Sequence, residues 1–280
     1  MDSRVRGNDV KIPFVEDLAK ESSALGLSPA DAARLNAALA AFAQLRPPGE
    51  DTFLDAKESP LVRAERVRSY LLVRPGLAGA QRVLDWGCRH GASARLVRAD
   101  LGDSIELHGT DFSGAEQYRE FHEASAMHYQ QLVHPWRIDY PDGHFDAVIG
   151  AGVLEHVANI GESLTELWRI VRVDGTLLLT HLPNALSWSE WLSRRAAPEL
   201  AHARRFRPKA LRQRLLDHGF AIEQWGYHHF PPTTLPARSD AAVLRGAVHA
   251  AQPLRVLERI WPLRAFSAAI WVVARKRLGF

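Results

Sequence analysis

From Gln81 onward the chain alternates between short apolar runs and longer amphipathic stretches. Apolar runs bounded by turn-forming residues predict strands over 82–86, 105–110, 128–133, 145–150, 176–181 and 221–227, with a last strand over 267–274. Between them, helical spacing predicts helices over 93–100, 114–126, 162–171 and 208–218; in the third, Leu164, Leu167, Trp168 and Val171 recur on one face. Strand followed by helix, repeated, predicts a mostly parallel sheet with helices on both faces.

Ahead of this region, Ser28 stands as a helix cap, Pro29 at the first helical position and Asp31 in the first turn, with Leu35, Leu39, Phe42 and Leu45 along one face. A second helix is expected over 60–72. The opening residues are charged and without period, so 1–12 reads as a disordered tail and 13–80 as a helical extension before a domain over 81–280. Between the sixth and last strands, a Pro-rich stretch and a helical region over 241–263 form an insertion at about 230–266.

The 280 residues are 46% hydrophobic and 24% charged, enough for a substantial core. No stretch reaches the roughly 18 apolar residues of a membrane-spanning helix, so a cytoplasmic protein is expected. Cys88 is the single cysteine, which excludes an intramolecular disulfide and argues against a cysteine metal site. A net charge of +3 with dispersed arginines argues against a nucleic-acid partner.

The first strand runs into a turn that begins and ends with glycine: Val83-Leu84-Asp85-Trp86-Gly87-Cys88-Arg89-His90-Gly91. In a doubly wound sheet this turn faces the ligand. It lacks the glycine spacing of a dinucleotide site, which disfavours a nicotinamide-dependent dehydrogenase. The stretch resembles the first motif of class I S-adenosylmethionine-dependent methyltransferases, with Arg89 where that family commonly has glycine. Further similar segments follow in family order: 107–113, ending the second strand at Asp111, then Tyr140 to Val157, then 167–184, then His202 to Phe220.

The resemblance implies a Rossmann-like, seven-stranded α/β fold with an antiparallel last strand, and S-adenosyl-L-methionine as cofactor. It implies that Asp85, Gly87, Cys88, Arg89, Gly91 and Ala151 line the cofactor, that Asp111 holds the ribose hydroxyls and that Phe112 lies against the adenine. Arg89 either reaches the methionine carboxylate or points to solvent. His134 and Trp136 stand where the family often places its adenine contacts. A subset of the family builds a divalent metal site on E-x-x-E-H. Gly152 replaces its first acid, so no metal is expected from Glu155 and His156.

His181, His202 and His156 are candidate bases for an acceptor hydroxyl, since imidazole titrates near neutral pH; hydrogen bonding within loops is the other reading of each. Trp188 and Trp191 share a helix face, read as core. The insertion carries Leu254, Leu257, Trp261 and Phe266 beside Arg255, Arg259 and Arg264, a pattern that suits acceptor binding, a second subunit or peripheral contact with the inner membrane face. The expected function is methyl transfer, by O-methylation, to a small-molecule or lipid-linked acceptor. The alternative is a non-catalytic methyltransferase-fold binding protein.

Overall fold

The structure, a computed structural model, describes residues 29–46, 59–196, 198, 201–231 and 250–278. The expected tail, the cap at Ser28 and the segment 232–249 lie outside the described residues.

The sheet has seven strands in the order β3-β2-β1-β4-β5-β7-β6. They are β1 (Arg82–Trp86), β2 (Glu106–Asp111), β3 (Met127–Gln131), β4 (Phe145–Ala151), β5 (Val171–Pro183), β6 (Phe220–His228) and β7 (Ala269–Lys276). All neighbours pair in parallel except β7, which is antiparallel to both β5 and β6. The chain steps outward from β1 to β3 and then returns to the other side of β1 with β4. This reversal opens the crevice in which doubly wound sheets take their ligands.

Period-2 alternation along β1 sends Val83 into one apolar layer and Leu84 into the other. On the Val83 side, Leu35 and Leu39 of α1 (Pro29–Phe42) and Val67 and Leu71 of α2 (Pro60–Val73) pack with Val97 of α3 (Ala92–Leu101). The N-terminal helices are therefore one face of the same core. Ser59 caps α2, its hydroxyl accepting from the Val62 amide at 3.3 Å, with Pro60 starting the helix. On the Leu84 side lie Leu164 and Leu167 of α5 (Ile160–Ile170) and Leu211 and Leu215 of α7 (Pro208–Asp217). The remaining helices are α4 (Arg119–Ala124) and α6 (Trp188–Ala196).

Several boundaries differ from the sequence reading. β5 begins directly at Val171, where α5 ends, and α4 covers only part of the 114–126 prediction. Leu45, expected on the buried face of the first helix, is 40% exposed beyond the end of α1. The expected helix over 241–263 is helical only at Ala250 and Ala251 within its described part, and continues as 3-10 turns over Gln252–Arg259 and Leu263–Phe266. Pro253 and Pro262 explain this, since each removes an amide donor that a longer α-helix would use. Among the described residues, no helix is long and apolar enough to cross a membrane.

Candidate functional site

The turn after β1 is held in left-handed backbone conformations at Gly87 (φ +68°), Arg89 (φ +48°) and Gly91 (φ +85°). A Cβ at Gly87 would stand 2.6 Å from Val153 Cγ2, so the position requires glycine on both counts. The amides of Gly87 and Cys88 donate to the Thr110 carbonyl at 2.7 and 3.1 Å, tying the turn to the end of β2. Cys88 is buried, and that burial pushes its thiol well above the ordinary range. Asp85, also buried, caps α3 by accepting from the Ala94 amide at 3.0 Å. Burial raises its pKa to about 7, against the Ala94 hydrogen bond; the Asp111 charge adds to the rise and Arg66 opposes it.

Asp111 ends β2 and turns its carboxylate toward this loop. Oδ2 accepts from the Arg89 amide at 3.1 Å, and Oδ1 from the Ser113 amide at 2.9 Å and hydroxyl at 2.7 Å. A carboxylate has about four acceptor positions, so a ribose diol would take the remaining one and displace the rotatable Ser113 hydroxyl. Phe112, next in sequence, is 57% exposed. A carboxylate at the strand tip, an exposed aromatic ring beside it and a buried acid below the turn are a donor set that fits a nucleoside carrying a cationic amino-acid end. His134 is exposed, its Nδ1 accepting from the amides of Trp136 and Arg137, with the Trp136 ring edge-on at 4.8 Å. Ala151 closes β4, paired with Thr180.

Arg89 is half-buried. Its Nε donates to the Tyr118 hydroxyl at 3.1 Å and its carbonyl bonds His122 Nε2 at 2.7 Å, because Tyr118 packs with Phe42 and Phe121 directly over the turn. Sequence reasoning missed Arg66 on α2, whose Nη1 meets His90 Nε2 at 3.3 Å and whose charge reaches Asp85. This puts a cation from the N-terminal extension beside the glycine turn, suited to a ligand carboxylate.

The same helix carries a buried polar group toward the insertion. Glu65 meets Arg255 at 3.1 Å, His228 Nδ1 at 3.3 Å and Arg68 at 3.7 Å, while Arg68 pairs with Glu258. Burial would raise the Glu65 pKa, but Arg68, His229, His228 and Arg255 hold it well below the usual range. His181, in β5 with φ +56°, lies next to this group. Its Nδ1 meets the Thr180 hydroxyl at 3.0 Å and its Nε2 the Ser69 hydroxyl at 3.3 Å; burial, then the neighbouring His228 and His229, depress its pKa well below the ordinary value.

His202 Nδ1 lies 2.6 Å from Glu190 Oε1, and the side chain of His156 is largely exposed. Glu155, His156 and His202 bring a carboxylate and two imidazoles within 4.8 Å of one another, an arrangement that could hold a cation. Gly152 is in a left-handed backbone conformation (φ +69°), in which a side chain such as the missing acid would be strained. Glu155 Oε2 is buried with no hydrogen-bond partner among the described residues, and burial raises the carboxyl pKa to about 7. Trp191, read as core, is 59% exposed with the Arg195 guanidinium 3.7 Å from its ring centre; Trp188 is half-buried and donates from Nε1 to the Phe230 carbonyl at 2.9 Å.

Residues 32–224 match the family profile of a methyltransferase domain. No curated protein matches the chain. Among solved structures, an S-adenosylmethionine-dependent methyltransferase from Archaeoglobus fulgidus is similar with a TM-score of 0.55 and 20% identity, over 81% of this chain and 100% of that one. The YcgJ protein of Bacillus subtilis gives 0.52 and 20%, over 76% and 99%. The cyclase SpnF gives 0.52 and 17%, over 95% and 97%.

Proposed function

The chain belongs to the methyltransferase-domain family, whose expected cofactor is S-adenosylmethionine, and from that premise we propose that it O-methylates a small-molecule or lipid-linked acceptor. The observation that carries this reading is the Asp111 carboxylate meeting the Arg89 amide of the glycine turn at the tips of β1 and β2. The cofactor, when bound, supplies a methyl carbon activated by sulfonium charge. Asp111 and Phe112 would hold its nucleoside, and Asp85 and Arg66 its amino-acid end. What remains for the protein is to align the acceptor and exclude water.

A hydroxyl acceptor needs a base, and His202 suits that role better than His181. Glu190 fixes His202 through Nδ1, which makes Nε2 the basic nitrogen. Both ring nitrogens of His181 are taken up by Thr180 and Ser69. His156 is largely exposed, its Nε2 lying 3.9 Å from Glu155 Oε1.

A lipid-linked acceptor is supported by the segment 252–266. It exposes Leu254, Val256, Ile260, Trp261, Leu263 and Phe266, with Trp261 68% exposed and the Arg264 guanidinium 5.6 Å from its ring centre. Apolar side chains flanked by arginines suit an anionic membrane surface. That surface would be the inner face of a membrane if the protein is cytoplasmic. The segment joins the acceptor end of the sheet through Glu258, which accepts from the Phe230 amide at 2.6 Å.

Incubation with methyl-labelled S-adenosylmethionine and hydroxylated acceptors, free or in anionic vesicles, tests the proposal. Label in the acceptor, lowered by His202→Ala, supports it. Tight binding of the demethylated cofactor without transfer to any acceptor would favour the alternative of a binding protein that does not methylate. The fold alone does not fix the reaction, as the likeness to a cyclase across almost its whole length illustrates.

A further inference from the structure

At the opposite ends of the strands from the glycine turn, a carboxylate and several imidazoles converge. Glu106 and His108 are two residues apart on β2 and so project from one face of the sheet. His128 pairs with His108 across the β2–β3 ladder, and His144 directly precedes β4. The His108 ring centre lies 5.3 Å from that of His128 and 5.7 Å from that of His144. Ligand atoms of Glu106, His108 and His144 all fall within 4.8 Å of one another.

Glu106 Oε1 and His108 Nε2 are 2.9 Å apart, a hydrogen bond whose proton an ion would displace on taking both atoms as ligands. Imidazole with carboxylate suits the divalent transition metals, zinc, nickel and copper among them.

The surroundings are those of a supported ligand set. Arg82 Nε donates to Glu106 Oε2 at 2.8 Å, which orients the carboxylate and leaves Oε1 toward His108. His108 Nδ1 meets the Tyr140 hydroxyl at 3.0 Å, an outer contact of the kind that fixes a metal-binding ring. Glu106 is exposed and His144 half-buried, so the group opens to solvent.

We propose that Glu106, His108 and His144 form a site for a divalent transition-metal ion that takes imidazole and carboxylate ligands, bordered by His128 and completed by water. Such an ion would tie the start of β2 to the segment entering β4 across β1. Its position at the far end of the strands makes it independent of cofactor binding.

Calorimetric titration of the tag-free full chain with nickel chloride tests the site. Wild type is expected to show saturable one-to-one binding and a melting temperature raised by the ion. His144→Ala and Glu106→Gln should each weaken binding at least tenfold and abolish the rise. His156→Ala, which alters the separate Glu155 group, should leave binding unchanged. Retention of folding by the first two variants is checked by circular dichroism. No saturation by about 1 mM nickel, a millimolar dissociation constant being worth only about 4 kcal/mol, would overturn the proposal. So would binding lost in His156→Ala but kept in the folded His144→Ala and Glu106→Gln chains.

Discussion

Asp85 is buried, accepts the Ala94 amide as the cap of α3, and has its pKa lifted from 3.8 to about 7. Asn in its place keeps a carbonyl for the cap and removes the ionisation. A folded-state pKa above the unfolded value means that the residue's contribution to stability is fully present below about pH 4 and lost as pH rises through about 7. The whole shift of about three units corresponds to roughly 4 kcal/mol, of which the two units between pH 5 and 7 leave roughly 3 kcal/mol to be read. Urea unfolding of wild type and Asp85→Asn at pH 5 and pH 8.5 should therefore show the variant gaining on wild type by up to that amount at the higher pH. Glu155, also raised to about 7, titrates in both chains and cancels in the comparison. A stability difference equal at the two pH values would refute the placement of an ionisable, desolvated Asp85 under the turn. The same reasoning predicts that wild type binds the cationic cofactor more tightly as pH rises from 6 to 8, because the ionised carboxylate is the form a cation favours.

Gly87→Ala places a methyl 2.6 Å from Val153 in a left-handed backbone, and a loss of about 2–4 kcal/mol is expected in thermal or urea unfolding; unchanged stability would contradict the turn geometry. Phe112→Ala should weaken binding of the demethylated cofactor about tenfold by calorimetry, about 1.4 kcal/mol, with no change in melting temperature because the ring is already 57% exposed. Glu258→Ala removes one of the two carboxylates that pair with the buried Arg68, Glu65 remaining at 3.7 Å, and should cost about 1–3 kcal/mol of stability, measured by urea unfolding. Trp261→Ala should reduce co-sedimentation with anionic vesicles while leaving cofactor affinity intact; vesicle binding unaltered by the change would separate the insertion from any membrane role.

The glycine turn and Asp111 were legible in the sequence because their geometry is local. Left-handed positions call for glycine, and a carboxylate that ends a strand sits at the ligand edge of the sheet whatever the helices do. The strand pattern was legible for a similar reason, since β1 and β4 are buried on both faces and read as continuous apolar runs. Arg66 and the Glu65 group were not, because their partners are distant in sequence: Arg66 meets His90, and Arg255 and Glu258 lie 190 residues beyond the Glu65 and Arg68 they respectively pair with. Polar residues such as Glu65 and Ser69 on the inward side of a helix were the available signal. Helical spacing placed Trp188 and Trp191 on one face but could not show that Trp191 meets solvent. Nor does spacing register two prolines as clearly as the backbone does, and the insertion became 3-10 turns. The imidazoles at 108, 128 and 144 share no motif; only the register of the sheet brings them together.

The central claim is that a sulfonium nucleoside lies across the tips of β1 and β2 with its sugar on Asp111. Calorimetry with S-adenosylhomocysteine tests this most directly, comparing wild type with Asp111→Ala. Saturable one-to-one binding by wild type, at least tenfold weaker in a variant of unchanged melting temperature, is the predicted result. Absence of binding by wild type, or equal affinity in the two chains, would contradict it.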